Sequence, residues 1–527
     1  MPDTPGAVWH PLRGAGFARL YIVYVLCFLG SAIFEASAAW TLAANGAPEA
    51  LVALTSTAAT LPVVLMILPF GALADTGGRL GQLRVAQMLS VLVACAVVAM
   101  VWLGATTPVW LLGAVALGGL SVAMRLPALT SLVPETLDPA HLPDGMTLLG
   151  IATSVSRFLG PALATVAIWA LGTPGPYLLT ALFSLGALIL LRDLPQGRPD
   201  TVLPAERMLG AIRVSVQFAT QSPELRRVLI RGGFFFFFGA AAQALAPLAA
   251  TRSLGGGANS FMAMIGAAGV GAILAGASLP RLRSRLRRTQ VARLAALFMA
   301  TGALCVSLAP SIPLALGGAI LHGMGWLAGL ATFTSLAQQS LPEWIRARGM
   351  ALAHAALISG VAIGAAVWGQ IASLIGLTPT LWLAVLGGLA MAAVRPWLTL
   401  LAPAQPEITP NRYWSEPALA IPVTHDSGPA VLLIEYTIRD GAEAAFLNIL
   451  RQSRRLRLRT GALSWSLFRD LEDSHRFTEQ VIYESWGDRQ RQALRTTEAD
   501  ALLRERKMEL LVEGHPPRVA HWVAVRL

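Results

Sequence analysis

The sequence predicts an all-α polytopic membrane protein with 12 transmembrane helices in two six-helix halves, followed by a C-terminal α+β domain of ferredoxin-like order. Three observations support this prediction. The mean hydropathy is +0.60 with only 13% charged residues, apolar runs of about 20 residues are long enough to cross a bilayer, and one segment is repeated. The runs are expected to be helices, because lipid offers no partners for unpaired backbone N–H and C=O groups.

The repeated segment covers residues 129–148 (LTSLVPETLDPAHLPDGMTL) and, 204 positions later, residues 333–352 (FTSLAQQSLPEWIRARGMAL). The two copies share seven identities in 20 positions without a gap. The same offset places two later glycines of the first copy on glycines of the second, Gly160 on Gly364 and Gly172 on Gly376. A connector repeated at one offset implies that the elements around it are repeated too, as in many membrane transporters.

Twelve apolar runs define the spans. Those of the first half are 17–43, 51–74, 83–104, 108–124, 146–170 and 176–191. Those of the second half are 228–250, 259–280, 291–309, 312–334, 349–375 and 379–400. The chain then divides into a first half (1–191), a cytoplasmic linker with an amphipathic helix (192–227), a second half (228–401), a Pro-rich linker (402–429) and a C-terminal domain (430–527).

The charge distribution predicts the orientation. Residues 1–401 carry 23 basic against 12 acidic side chains, whereas residues 402–527 carry 17 of each, so the net charge of +11 belongs to the membrane part. Most arginines, Arg125 among them, lie at the N-terminus and in the even-numbered connectors, whereas Arg252 is the only basic residue of the odd-numbered connectors. By the positive-inside rule both termini are cytoplasmic, in a bacterial-type inner membrane. Basic loops between spans are better explained by this orientation than by nucleic-acid binding.

The linker helix is expected within residues 205–222. Met208, Ile212, Val216 and Phe218 fall near one face of it, with basic residues elsewhere. This amphipathic pattern predicts a helix lying on the cytoplasmic membrane surface.

The C-terminal domain reads as βαββαβ. Its elements are a strand at 430–439, a helix at 443–459, strands at 464–469 and 476–485, two short helices within 488–512 and a strand at 519–527. Both faces of the first strand are apolar, and helices can cover only one of them. The other face is expected to pack on a second copy, which predicts homodimerisation through residues 430–527.

Two charged residues are the main candidates for the substrate or ion pathway. Glu35 is the one acid inside a predicted span, where a carboxylate is costly unless it is paired, hydrated or protonated. It either couples protons or contacts substrate, or it is solvated near the outer end. Arg157 precedes a Gly-Pro where the helix can open, which favours a substrate or gating contact. At 1.5 Å per residue Arg157 lies about 15 Å and Glu35 about 27 Å into their spans, which argues against an ion pair.

Weaker candidates are polar or aromatic. His322 near mid-depth of span 10 can relay protons or simply be packed, and Gln243, His354 and Gln87 rank below it. The run Phe234–Phe238 covers every face of its helix and can serve either a lipophilic or cationic ligand or packing. The three cysteines, Cys27, Cys95 and Cys305, fall in apolar runs, so we expect neither a disulfide framework nor a metal or other cofactor.

The turn after span 2 contains Gly71, Asp75, Gly78 and Arg79. Glycines permit a tight turn, and Asp75 can accept hydrogen bonds from an arginine or a helix N-terminus and so lock one conformation. The alternative is a plain polar turn. The turn resembles the signature G-x-x-x-D-x-x-G-R of the major facilitator superfamily.

Further motifs narrow the resemblance. GSAIFEASAAW (30–40), RFLGPA (157–162), ALAPL (244–248) and GVGA (269–272) resemble the drug and siderophore efflux branch that contains the enterobactin exporter. The resemblance implies export of a small lipophilic molecule by alternating access, driven by proton entry. The small-molecule substrate, protons and the lipid bilayer are then the partners.

The C-terminal domain, through residues 459–465, 470–473 and 483–486, resembles the dimeric α+β barrels of the antibiotic-biosynthesis monooxygenases. Some members of that family are cofactor-free oxygenases. Neither His475, His515 nor His521 can be placed on their catalytic positions, which favours a regulatory or dimerising module. The alternatives are a membrane-anchored enzyme and a ligand sensor. No P-loop signature supports an ATP-driven pump.

Overall fold

The structure is a computed structural model. It describes residues 7–74, 78–138, 141–194, 208–253, 258–309, 311–393, 411 and 419–525. The chain forms two compact units. The first, here the membrane unit, comprises Met1–Pro199, Leu229–Ser335 and Ala353–Thr399, and the second comprises Asp200–Val228, Leu336–Leu352 and Leu400–Leu527.

The helices follow the predicted order. The first six are α1 (Ala15–Ala44), α2 (Glu49–Leu73), α3 (Arg79–Trp102), α4 (Pro108–Thr136), α5 (Leu142–Leu171) and α6 (Gly175–Leu190). A separate helix, α7 (Met208–Gln221), comes next. The remaining long helices are α8 (Pro223–Leu248), α9 (Ala258–Arg285), α10 (Arg288–Leu308), α11 (Ile312–Gln339), α12 (Arg346–Ile375) and α13 (Leu377–Ala393).

Within the described ranges, nine helices are long and apolar enough to cross a membrane. Three further predicted spans correspond to shorter apolar stretches, Leu159–Leu171 inside α5, α6 and α13. At 16 and 17 residues, α6 and α13 lie at the short end of what a bilayer requires. The number of twelve spans therefore stays a prediction.

The predicted bounds of span 4 are wrong. The α4 helix continues from residue 124 to Thr136, so Arg125 lies inside a helix and not in a connector. Hydropathy falls in this stretch because polar side chains appear, but they bond back to their own helix. The hydroxyls of Thr130 and Ser131 donate to the carbonyls of Leu126 and Ala128, both at 3.0 Å. Such bonds let a helix carry polar residues without exposing unsatisfied groups.

The sequence repeat is also a repeat of contacts. Leu137 occupies the space that a Cβ on Gly145 would need, and Leu341 does the same at Gly349. The second pair lies 204 positions after the first in the sequence. The two matching threonines also bond back in the same way, Thr130 to the carbonyl of Leu126 and Thr334 to that of Leu330.

The later glycines repeat in structure too. Gly160 of α5 packs on the backbone of α1 at Ile33, and Gly364 of α12 packs on the backbone of α8 at Phe237. Ile33 and Phe237 are again 204 positions apart. The glycines that end α5 and α12 both have positive φ, 70° at Gly172 and 86° at Gly376, a conformation that favours glycine. The two halves therefore share one architecture.

The C-terminal part contains β1 (Ala430–Thr437), α14 (Glu443–Arg459), β2 (Ser464–Arg469), β3 (Arg476–Tyr483), α15 (Trp486–Leu494), α16 (Glu498–Met508) and β4 (Arg518–Val523). The strands form an antiparallel sheet in the order β2-β3-β1-β4. Alternate residues of β1, such as Leu432 and Ile434, are buried together with Phe446 of α14. This is the element order that the sequence predicts.

The α7 helix packs on α14 within the second unit. Its buried side chains are one turn apart, Val214 and Phe218. Val216, predicted on the apolar face that lies on the membrane surface, is 43% exposed, whereas Phe218 of the same predicted face is buried. A helix buries the face that its neighbour covers, and here the neighbour is protein.

Four side chains of the second unit, here called the aromatic–arginine stack, place two aromatic rings between two arginines. The Arg459 guanidinium lies 5.8 Å from the ring of Phe218, which meets Trp344 edge-on at 5.8 Å, and the Arg495 guanidinium lies 4.5 Å from the Trp344 ring. Trp344 belongs to the connector between α11 and α12, the second copy of the repeated segment. The C-terminal domain thus holds both α7 and this connector.

Candidate functional site

Arg125 is buried inside the first half, with 2% of its surface exposed. One terminal nitrogen donates to the Ser31 hydroxyl of α1, and the other lies 3.5 Å from Gln87 Oε1 of α3. The guanidinium carbon lies 5.9 Å from the Phe28 ring. No carboxylate of the described residues lies within ion-pair distance, and Arg125 Nε has no hydrogen-bond partner among them.

A buried cation held only by neutral groups is costly, and inside a membrane it is a functional candidate by default. Sequence reasoning missed Arg125 because it was counted as a connector arginine. The available signal was its setting, since Ala123 and Leu126 continue the apolar run on both sides. Chemically, Arg125 can attract an anionic group or respond to a carboxylate that changes its charge.

Other polar side chains tie the same bundle together. Gln87 of α3 donates to the carbonyl of Ser184 in α6 at 3.4 Å, and Gln82 donates to the carbonyls of Phe70 and Met124. The hydroxyls of Ser90 and Ser121 lie 2.6 Å apart. Gln87, a weak candidate from sequence, is therefore part of the Arg125 environment.

The predicted lock loop is described except for Asp75, which lies outside the described residues. Gly71 packs in α2 and Gly78 precedes α3. Arg79 forms an ion pair with Glu135 near the end of α4, and its Nε donates to the carbonyl of Ala74 at 3.1 Å. Arg79 therefore joins the α2–α3 turn to the first copy of the repeated segment. Glu135 also shows that Glu35 is not the one acid inside a long helix.

Glu35 lies half-buried in α1. The side chain of Arg157 lies outside what the structure describes, but its backbone is placed in α5, fifteen residues after Leu142. Because Gly160 meets Ala32, Arg157 is level with about Leu29, so the depths of Arg157 and Glu35 differ by about 9 Å rather than 12 Å. The α5 helix runs unbroken through Gly160 and Pro161, so the expected opening is absent there.

His322 of α11 is 9% exposed, and neither ring nitrogen has a hydrogen-bond partner among the described residues. It lines a cavity of about 20 Å³ with Phe235, Met299, Ala384 and Met391. That volume suits one water molecule and no organic substrate. The cavity lies among α8, α10, α11 and α13, so His322 faces the interior of the second half.

The remaining candidates are scattered. Gln243 is exposed in α8, and His354 is half-buried in α12. In the phenylalanine run, Phe235 and Phe236 are buried against Phe333 and Trp326, whereas Phe234 is 52% exposed. Packing therefore accounts for most of these rings. Within the described part of the chain, no group of His, Cys, Asp and Glu is arranged to hold a metal ion.

The two halves meet near the ends that carry few arginines, where α1 ends and α2 begins. Trp40 of α1 stacks on Phe261 of α9 at 5.9 Å, and Ala164 of α5 joins the same cluster. On the other side, Ala53 of α2 approaches Gly369 of α12. Further along α2, the Thr57 hydroxyl donates to the carbonyl of residue 362 at 2.7 Å. These contacts bring the halves together at the arginine-poor end.

Solved structures share this fold. The nucleoside transporter NupG matches with a TM-score of 0.58 at 11% identity, over 72% of this chain and 98% of that one. A bacterial homologue of the human lysosomal transporter Spinster, inward-facing and unoccupied, matches at 0.54 and 16% identity, over 73% and 94%. The human organic anion transporter MFSD10 matches at 0.54 and 15% identity, over 75% and 100%.

No curated protein sequence matches the chain. A family model described as transmembrane secretion effector matches residues 6–526, which is nearly the whole chain and includes the C-terminal domain. The match and the transporter fold indicate a multi-pass membrane protein of a transporter family, not an enzyme family. The chain therefore belongs to the transmembrane secretion effectors of the major facilitator superfamily.

Proposed function

We propose that the protein is a secondary active transporter that exports a small lipophilic molecule across the inner membrane by proton antiport. The observation that carries this proposal is the repeated architecture, in which two matched halves meet at the arginine-poor end. Such halves rock about a site between them and open it to each side in turn. With arginine-rich loops in the cytoplasm, this proposal places the contact between the halves at Trp40 and Phe261 on the outer side of the membrane.

Support for export comes from the sequence motifs that resemble the drug and siderophore efflux branch. In this proposal Glu35 takes up the proton, because a carboxylate inside a span is costly unless it is paired, hydrated or protonated. Arg125 contributes a buried positive charge in the first half, and Arg157 of α5 remains the proposed substrate or gating contact of that half. Gln243 supplies a polar contact from the second half, and His322 contributes through a water in its cavity.

The test is efflux of lipophilic dyes and siderophores from proteoliposomes with an imposed proton gradient. We expect efflux to rise with the gradient and to fall when Glu35 is replaced by glutamine. Flux that ignores the gradient would remove the antiport claim and leave the transporter. Labelling the loops at 172–176 and 309–313 with an impermeant reagent tests the orientation, and labelling from the cytoplasmic side would reverse it.

For the C-terminal domain we propose a regulatory role, exerted through the aromatic–arginine stack on the α11–α12 connector. The helices cover one face of its sheet. On the other face Phe468 and Trp522 are 52% and 60% exposed, which supports pairing with a second copy. Light scattering in detergent tests dimerisation, and Trp522→Arg is expected to give monomers.

A further inference from the structure

A cavity of about 160 Å³ lies inside the C-terminal domain between the sheet and the helices α14 and α16. Ile434 and Leu503 form an apolar wall, and Arg457 and Lys507 form a cationic one. Val519 lies at its edge and is 39% exposed. The transport proposal makes no use of this cavity.

A buried carboxylate lies behind the cationic wall of the cavity. Glu479 of β3 is fully buried and accepts hydrogen bonds from Tyr436 Oη at 2.7 Å and Trp465 Nε1 at 2.9 Å. Arg457 Nε lies 3.4 Å away. Burial acts to raise the pKa of Glu479, but Lys507, Arg457 and these hydrogen bonds outweigh burial and hold it at about 2. Glu479 is therefore ionised, and its one negative charge is shared between two buried cations, Arg457 and Lys507.

Of the two buried cations, Lys507 lies farther from the Glu479 carboxylate than Arg457 does. Its ammonium nitrogen lies 3.2 Å from the Ser453 hydroxyl and 3.3 Å from the Tyr436 hydroxyl, whereas the nearest carboxylate oxygen, on Glu479, is 3.8 Å away. Neutral hydroxyls thus occupy the close positions around a group with three donors. Burial lowers the pKa of Lys507, and an anion in the cavity would oppose that shift.

The lining contains three cationic side chains, the buried Arg457 and Lys507 and the exposed Arg504, and one carboxylate, Asp500. Asp500 is engaged in capping α16, where it accepts from the backbone and hydroxyl of Thr497 at 2.7 and 2.9 Å. With Asp500 engaged in the cap, the charged groups that face the cavity are mainly the buried Arg457 and Lys507, which favours an anion over a cation.

The size limits the ligand further. Pockets for drug-sized molecules are usually about 300 Å³ or more, while an apolar cavity of about 150 Å³ accepts benzene. We propose that this cavity binds a small amphipathic monoanion, a carboxylate on an aromatic or branched apolar body. The carboxylate lies at Lys507 and the apolar body lies against Ile434 and Leu503. This site is separate from the transport pathway and does not depend on the proposed transport function.

The test is isothermal titration of the full-length protein in nonionic detergent with benzoate. Benzamide, which has the same shape without the charge, is the matched ligand. We expect saturable benzoate binding and at least ~10-fold weaker benzamide binding, a difference of about 1.4 kcal/mol. Lys507→Met is expected to weaken benzoate binding by a similar factor. Arg506→Gln, which removes an exposed charge from the same helix, is expected to leave it unchanged.

A second variant keeps the test decisive if Lys507→Met fails to fold. Val519→Trp fills the mouth of the cavity and leaves the ionic cluster intact, so it is expected to abolish benzoate binding while thermal unfolding stays close to that of the parent. The proposal is wrong if benzoate shows no saturable binding or if benzamide binds equally well. It is also wrong if Val519→Trp, or Lys507→Met where it folds, retains full affinity for benzoate.

Discussion

Arg125 is a fully buried cation held by Ser31, Gln87 and the ring of Phe28 rather than by a carboxylate. Removing its charge is expected to relieve the cost of burial while removing the attraction for an anionic group. We therefore predict that Arg125→Met folds at least as stably as the parent and transports at least ~10-fold more slowly, a loss of about 1.4 kcal/mol. Thermal unfolding and proteoliposome efflux measure the two effects.

Arg125→Lys is the matched control, because it keeps the charge and loses the planar fork that reaches Ser31 and Gln87 together. We expect intermediate transport. If Arg125 had only a structural role, Arg125→Met would unfold at a lower temperature than the parent. Its loss of transport would then equal the loss of folded protein, which would contradict the prediction.

Glu479 gives a pH dependence with a definite sign. Its pKa of about 2 in the folded domain lies below its ordinary value of 4.5. Its contribution to stability is therefore fully present above about pH 4.5 and is lost as the pH falls through 2. The shift corresponds to roughly 3 kcal/mol. The urea concentration at which half of the domain is unfolded can be measured by brief pepsin cleavage of the full-length protein. We expect this concentration to decrease as the pH is lowered from 4 to 2.

His521 acts in a neighbouring pH window and has to be separated from Glu479. Burial, with Arg489 nearby, lowers its pKa to about 4, so it contributes stability above pH 6.5 that is lost as the pH falls toward 4. The geometry agrees, because Arg489 donates to His521 Nε2 at 3.4 Å. A His521→Gln background removes this slope. If Glu479→Gln in that background kept the full fall below pH 4, the assignment to Glu479 would be wrong.

Among the elements, the aromatic–arginine stack joins α7, the α11–α12 connector and the C-terminal domain. Trp344 contributes the central ring, between Phe218 and Arg495. We predict that Trp344→Ala destabilises this packing by about 3 kcal/mol or more. Faster hydrogen exchange at 208–221 and 341–345 would show it, with the strands of the domain unchanged. Unchanged exchange in both segments would contradict the proposed hold on the connector.

Most of the element order followed from the sequence, and the reasons for the exceptions are physical. The bounds of α14 and β2 agree with the prediction because an amphipathic helix and a short strand change composition at their ends. The end of α4 was missed because Thr130 and Ser131 satisfy their hydroxyls on the helix itself. The buried face of α7 was missed because the partner that covers it, α14, is more than 200 residues away in the chain.

The candidate site was less accessible to sequence reasoning. Charge inside a span identified Glu35, but the same rule passed over Arg125 because the predicted span ended at residue 124, just before it. His322 was placed correctly in a helix, and only the packing of Met299 and Ala384 shows that it faces a water-sized cavity. For the whole molecule, the internal repeat was the most informative signal. It aligns Leu137 and Gly145 with Leu341 and Gly349, and in the structure the leucine and glycine of each copy are in contact.

The central claim is that the two halves separate at the arginine-poor end in every transport cycle. Ala53 and Gly369 approach each other across that contact, so cysteines at both positions can form a disulfide. In a background without Cys27, Cys95 and Cys305, we predict that oxidation of the Ala53→Cys/Gly369→Cys pair stops efflux in proteoliposomes, that a reductant restores it, and that neither single variant responds. Full efflux from completely cross-linked protein would contradict the account.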